Sequence, residues 1–265
     1  MKTKIIKSSI LIAILGIALW SCKKTDNLPV NQNNKIEPSA LNINEFEYIG
    51  QQHNDGLDFV YDKLLTLKND DSKVYSKEEV IELTNQYTIE YYEYIKGDNS
   101  FNEAHDIIND SYYNMQTLDQ LYNRYENLSS GLTSALNNLD IIISNQNLGL
   151  NEIVTKIKEL ELQANDNLSS SDKIVFFSAS TIARYTMNYW NSNSNKWKEL
   201  FNFETESWYG DAGGADVVGG AAAAVGAAVV NVVIGAGTVA YGAAIIGGGV
   251  GSSAYSAIMS FWNWL

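Results

Sequence analysis

The sequence is short of the residues that build disulfides, helix kinks and metal sites. Cys22 is the only cysteine, so the chain forms no internal disulfide. Both prolines, Pro29 and Pro38, lie near the N-terminus, and the rest of the chain can therefore support long helices. The two histidines stand in no zinc-binding pattern. We expect no metal and no cofactor, apart from covalent lipid.

Basic residues are also scarce. The chain has 18 Lys and Arg against 31 Asp and Glu, a formal net charge of −13. Without residues 1–21, which hold three lysines, the charge becomes −16. Nucleic acid and anionic headgroups repel a body of this charge, so no nucleic-acid partner is predicted.

The N-terminus has the layout of a secretory signal peptide. Three lysines precede an apolar run from Ile10 to Leu19, which is too short for a mature membrane span. The next residues, Leu19-Trp20-Ser21-Cys22, resemble the lipobox of bacterial lipoproteins. The resemblance implies that residues 1–21 are removed and that acyl chains such as palmitate are attached to Cys22. It places the protein in the cell envelope, in the outer membrane of a Gram-negative bacterium. The alternative is an uncleaved N-terminal anchor.

Residues 22–40 predict a flexible tether, and residues 41–209 predict an all-α domain. Apolar residues recur at helical spacing from Phe46 to Leu67, and further helical segments follow. They include one over residues 169–190 and a separate last one that holds Trp197, Leu200 and Phe201. Another spans about Glu103 to Asn127. Ser76 and Glu79 have the spacing of a capping box, and Gly97 is a natural helix stop. No segment alternates with the period of a strand.

No constellation in this domain predicts an enzyme. His53 falls on an apolar stripe, which favours a core residue, and His105 is isolated. Ser170 and Lys173 match the S-x-x-K pattern of penicillin-recognising enzymes but lie in a serine-rich helix start. The segment from Asp98 lacks the glycine and the glutamate of a calcium loop. Numerous Tyr and Trp leave a glycan- or peptide-binding surface open as an alternative, with no partner identified.

Residues 210–265 have a different composition. No charged side chain follows Asp216, and 13 of the 19 glycines lie between Gly210 and Gly251. The uncharged length suffices for two membrane spans, at about 212–234 and 243–262, with a turn at 235–242. The other interpretation is a pair of helices buried against the domain.

Small residues in this segment recur at helical spacing and predict helix–helix contacts. The predicted contact residues are Gly219, Ala223, Gly226, Ala227, Gly247 and Gly251. The predicted interfacial anchors are Trp208, Tyr209, Trp262 and Trp264. The segment resembles glycine-zipper segments of envelope lipoproteins and the core peptides of two-peptide bacteriocins. The first resemblance implies a non-enzymatic lipoprotein whose tail inserts into membrane lipid or self-associates there. The second implies a membrane-permeabilising toxin.

Overall fold

The computed structural model describes residues 42–69, 75–97, 104–114, 118–124, 128–145, 147–201 and 238–262. Within these ranges the chain is helical with short connections and has no strand, which confirms the predicted all-α class. A 3-10 helix, Ile43–Phe46, leads into the α-helices. These are α1 (Glu47–Lys68), α2 (Lys77–Ile95), α3 (Ala104–Asn114), α4 (Leu118–Arg124), α5 (Ser130–Ile143), α6 (Leu150–Asn167), α7 (Ser170–Phe201) and α8 (Thr238–Trp262).

The predicted boundaries of α2 are confirmed by its cap geometry. The Ser76 hydroxyl accepts the backbone N–H of Glu79 at 3.2 Å, and the Glu79 carboxylate accepts the backbone N–H of Ser76 at 2.9 Å. These two bonds satisfy amide groups that the first turn of a helix cannot pair internally. The helix ends just before Gly97, whose φ of 57° is a left-handed conformation that glycine adopts without strain.

The apolar stripe predicted on the first helix faces the core. Its members Phe46, Ile49, His53, Leu57, Val60 and Leu64 are buried, and the last member, Leu67, is half-buried. The interpretation of His53 as a core residue is therefore confirmed. Of the segment predicted as helical from 103 to 127, the described parts are α3 and α4, and residues 115–117 and 125–127 lie outside them.

Helix α7 is longer than the sequence analysis indicated. The segments predicted separately, one over residues 169–190 and one around Trp197, form a single helix of 32 residues. The physical reason is that no glycine or proline lies between Ser170 and Phe201 to end it. At 1.5 Å per residue the helix is about 48 Å long. Its apolar face stays buried to the end, through Trp190, Trp197 and Leu200.

Helix α8 lies at the centre of the arrangement. It packs against α1, α2 and α3, with a smaller contact to α7. Helix α1 lies between α8 and α7, while α5 and α6 pack on α7. Helices α1, α2 and α3 thus bury their apolar faces around α8, which has no charged side chain.

Candidate functional site

The uncharged helix α8 is enclosed by the domain. Every residue from Gly242 to Ala254 is buried, on all sides of the helix. Of the two interpretations of the tail, packing against the body describes this helix as it stands in the folded chain. Helix α8 also begins at Thr238, so the turn predicted up to Gly242 was too long. Membrane insertion of the segment stays a prediction.

Two of the predicted contact residues, Gly247 and Gly251, lie where α8 meets α3. A Cβ atom on Gly247 would lie 2.8 Å from Cδ1 of Ile108. On Gly251 it would lie 3.1 Å from Cδ2 of Tyr112. Carbon atoms in ordinary contact are about 3.5–4.0 Å apart, so these positions admit no larger residue without movement. The small residues of α8 therefore set how closely its neighbours approach.

The crossing of α1 and α8 depends on a glycine that the sequence analysis did not single out. A Cβ atom on Gly56 would lie 2.6 Å from Cγ2 of Val250 in α8. In return, a Cβ atom on Gly249 would lie 3.2 Å from Cδ2 of His53 in α1. A glycine inside a helix costs about 1 kcal/mol relative to alanine. A glycine inside the apolar pattern of α1, in spite of that cost, was the feature of the sequence that indicated a close helix contact.

Few polar groups hold α8 in place. The indole N–H of Trp190 donates to the Ser253 hydroxyl at 3.1 Å, and the Ser252 hydroxyl donates to the Ser111 carbonyl oxygen at 3.2 Å. Both acceptors and donors are buried, where a hydrogen bond specifies one packing arrangement. Near the start of the helix, Tyr48 lies beside Gly242, and burial raises the pKa of Tyr48 to about 12. Close packing, more than hydrogen bonding, holds the helix in place.

A hydrogen-bonded chain joins α1 to α7 beside this contact. The Tyr189 hydroxyl donates to Asp58 Oδ1 at 2.9 Å and accepts the indole N–H of Trp197 at 3.0 Å. Lys196 Nζ also donates to Asp58 Oδ1, at 2.5 Å. Burial raises the pKa of Tyr189, and the negative charge of Asp58 raises it further, so the phenol stays protonated. Trp197 also packs its ring against Trp190, which donates to Ser253 of α8, so the chain supports that contact.

The remaining candidate residues are dispersed. His53 Nδ1 lies 3.0 Å from Asn54 Oδ1, and His105 Nε2 lies 2.6 Å from Glu93 Oε1 on the surface. Ser170 is exposed in the first turn of α7, where Ser169 accepts the backbone N–H of Asp172. Among the described residues no group of three or more His, Cys, Asp or Glu side chains is placed to hold a metal ion.

Several predicted site residues lie outside the part of the chain that the structure describes. They are Cys22, Trp208, Tyr209, Gly219, Ala223, Gly226, Ala227 and Trp264. Trp262 ends α8, and its side chain is also outside the description. The predicted signal peptide, the predicted tether and the first predicted membrane span also lie outside the described residues. These assignments stay predictions.

Comparisons with protein-family models, with curated proteins and with solved structures found no match for this chain. Within the described ranges, no helix is both long enough and apolar enough to span a membrane. The functional argument therefore depends on the residues and contacts themselves.

Proposed function

We propose that the chain is a non-enzymatic lipoprotein of the cell envelope that keeps enclosed a helix for insertion or oligomerisation in a membrane. No described helix is apolar enough to span a membrane alone, so the proposal places α8 beside other helices there. In this proposal α8 is the enclosed helix, and α1, α2, α3 and α7 form the sheath around it. The observation that carries the proposal is that α8 has no charged side chain and that its residues 242–254 are buried on all sides of the helix. An ordinary helix at the surface of such a domain has a polar face.

Burial within the sheath keeps the apolar surface of α8 out of water. In water, α8 exposes apolar surface and many glycines, and both are unfavourable. In lipid, its backbone hydrogen bonds are satisfied within the helix, and its small residues allow a second helix to approach closely. Release from the sheath therefore becomes favourable only where a bilayer or another α8 receives the helix. Self-association is the expected state in the membrane.

The lipid anchor supplies the location. Acyl chains on Cys22 stabilise attachment by about 0.8 kcal/mol per buried methylene, which holds the domain at a leaflet. Anionic headgroups repel the acidic domain, so the charge of the protein does not attract it to the membrane. In this arrangement the tether of residues 22–40 keeps the sheath within reach of the membrane that receives α8.

The same enclosure supports a second candidate, a membrane-permeabilising toxin. A lesion-forming helix also has to be kept from water until it meets its target. The two candidates differ in the outcome of insertion. The envelope protein leaves the bilayer sealed, whereas the toxin causes leakage of small solutes.

A disulfide between α3 and α8 tests whether the helix leaves its sheath. Ser252 Oγ lies 3.2 Å from the backbone oxygen of Ser111, and cysteine is close to serine in size. We would combine Ser111→Cys and Ser252→Cys with Cys22→Ala, which removes the only native thiol. The probe is a phosphatidylcholine vesicle containing a self-quenched dye. Binding is measured by flotation after a carbonate wash, and leakage by fluorescence.

The proposal predicts that the oxidised triple variant does not float with vesicles and that the reduced protein does. The matched controls are Cys22→Ala with either serine replacement alone, treated with the same oxidant. Thiol titration verifies that the disulfide has formed, and circular dichroism verifies the fold. Equal flotation of oxidised and reduced protein would rule out α8 as the inserting element. If neither form floats, α8 is a permanent core helix and the proposal fails. Dye release on reduction selects the toxin.

A further inference from the structure

A cavity of about 690 Å³ opens between the N-terminal 3-10 helix, α6 and α7. Its volume lies within the range of sites that bind small molecules. None of the described residues that line it belongs to α8. A function of this cavity is therefore separate from the function proposed for the enclosed helix.

The floor of the cavity holds a buried charge cluster. Arg184 Nε donates to Glu161 Oε1 at 2.9 Å, and Arg184 Nη2 donates to Glu47 Oε1 at 2.6 Å. Arg184 is 6% exposed and Glu161 is 5% exposed. Burial acts to lower the pKa of Arg184, but the two carboxylates outweigh it and raise that pKa. One cation thus faces two carboxylates in this cluster, while the exposed Lys158 supplies the second positive charge of the lining.

The second oxygen of Glu161 has no hydrogen-bond donor among the described residues. The salt bridge to Arg184 uses Oε1 alone, while the side chain lines the cavity. That oxygen is open to solvent in the cavity, since the buried side-chain atoms without a partner lie elsewhere in the described chain. A buried carboxylate that faces an open cavity with a spare oxygen fits a positively charged donor from a ligand.

The remaining lining is mixed in a way that suits a peptide. Phe177 and Leu162 contribute apolar atoms to the lining, Phe177 from a fully buried position and Leu162 from one that is 69% exposed. The side-chain amides of Asn44 and Asn165 offer both a donor and an acceptor, as a peptide group requires. Lys158 lies one helical turn from Glu161 and makes no ion pair within the described ranges. It is available for a carboxylate.

We propose that this cavity binds the free N-terminal end of a short peptide whose first side chain is apolar. The peptide ammonium group donates to Glu161 and Glu47. The first side chain packs against Phe177 and Leu162, and Asn44 and Asn165 bond to the backbone. The C-terminal carboxylate of a tripeptide pairs with Lys158, which also lines the cavity.

Titration calorimetry of the full chain in detergent tests this assignment with three probes. The tripeptide Leu-Gly-Gly carries both recognised groups, N-acetyl-Leu-Gly-Gly lacks the ammonium, and Gly-Gly-Gly lacks the apolar side chain. We expect Leu-Gly-Gly to bind and each of the other two to bind at least about tenfold more weakly. Because the protein is unchanged in this comparison, folding does not affect the result.

Two variants then locate the bound peptide. Glu161→Gln keeps an oxygen for Arg184 but removes the charge, and it should weaken Leu-Gly-Gly about tenfold or more. The matched control is Glu159→Gln on the exposed face of α6, which should leave the affinity unchanged. Leu162→Ser, at an exposed position, should weaken Leu-Gly-Gly and leave Gly-Gly-Gly unaffected. The proposal is overturned if Leu-Gly-Gly does not bind, or if acetylation and Glu161→Gln both leave its affinity unchanged. Neither result bears on the release of α8.

Discussion

The Cδ1 atom of Ile108 lies 2.8 Å from the position that a Cβ atom would take on Gly247. Helices α3 and α8 are therefore in contact through a glycine on one side and the tip of an isoleucine on the other. A contact this close is sensitive to single carbon atoms, because cores pack at the density of organic crystals. Substitutions at this contact therefore test how tightly α8 is enclosed.

Gly247→Ala is expected to lower the free energy of unfolding by about 1–3 kcal/mol, because the new methyl group overpacks the contact. Ile108→Val removes the Cδ1 atom and costs about 0.5–1.5 kcal/mol alone. The double variant should lose less free energy of unfolding than the two single variants together, since the valine makes room for the alanine. Urea unfolding midpoints of the four proteins give this coupling.

Gly131→Ala is the control for that cycle. Gly131 is exposed in the first turn of α5, and its nearest neighbour would be Cδ2 of Leu168 at 3.2 Å. Leu168 is only half-buried and can move aside, whereas Ile108 is fully buried. Alanine there should be neutral or stabilising by up to about 1 kcal/mol. Equal effects of the two alanine substitutions, with no coupling to Ile108, would contradict a tight contact.

Arg184→Met should destabilise the fold by about 3–5 kcal/mol, because Glu161 would remain as a buried charge without its cation. The double variant Arg184→Met with Glu161→Leu should recover most of that loss, since no buried charge is left. Denaturant unfolding measures both. A double variant as unstable as the single one would show that the shape of the arginine side chain matters more than its charge.

Asp55→Asn should raise the melting temperature at neutral pH and lose that advantage in acid. Burial raises the pKa of Asp55 above its usual value of 3.8, and the charge of Asp58 raises it further. A carboxyl group with a raised pKa destabilises the folded state when it is ionised. That cost is full above the folded pKa and disappears as the pH falls below 3.8.

Thermal melts of wild type and Asp55→Asn at several pH values between 3 and 7 give the dependence. Asp166→Asn, at an exposed position near the end of α6, is the control for replacing any aspartate. A constant difference between wild type and Asp55→Asn over the whole range would contradict a raised pKa.

Much of the sheath could be predicted from local patterns. The buried stripe of α1 and the cap of α2 follow from side-chain spacing, because helical periodicity and capping act within a few residues. The continuity of α7 was missed, although the absence of glycine and proline after Ser170 indicates it. The boundary of α8 was predicted too late by five residues, since glycine-rich sequence resembles a turn when its packing partners are unknown.

The position of α8 and the peptide cavity required the structure. The same uncharged, small-residue composition fits a bilayer and a tight protein interior. On α1, only Gly56 indicates that α8 packs closely against it. The cluster of Glu47, Glu161 and Arg184 joins residues up to 137 positions apart. No local pattern encodes such a meeting, since each residue alone is an ordinary charge on an amphipathic helix.

The central position of α8 has a consequence for the order in which the chain is made. The ribosome completes this helix after all the helices that surround it, and Gly56 meets Val250 across 194 positions of sequence. During synthesis the earlier helices therefore have a vacant groove where their core belongs. Contacts this distant in sequence form slowly. Until α8 has been synthesised, the helices around it lack this contact, and a variant truncated at residue 209 lacks it permanently.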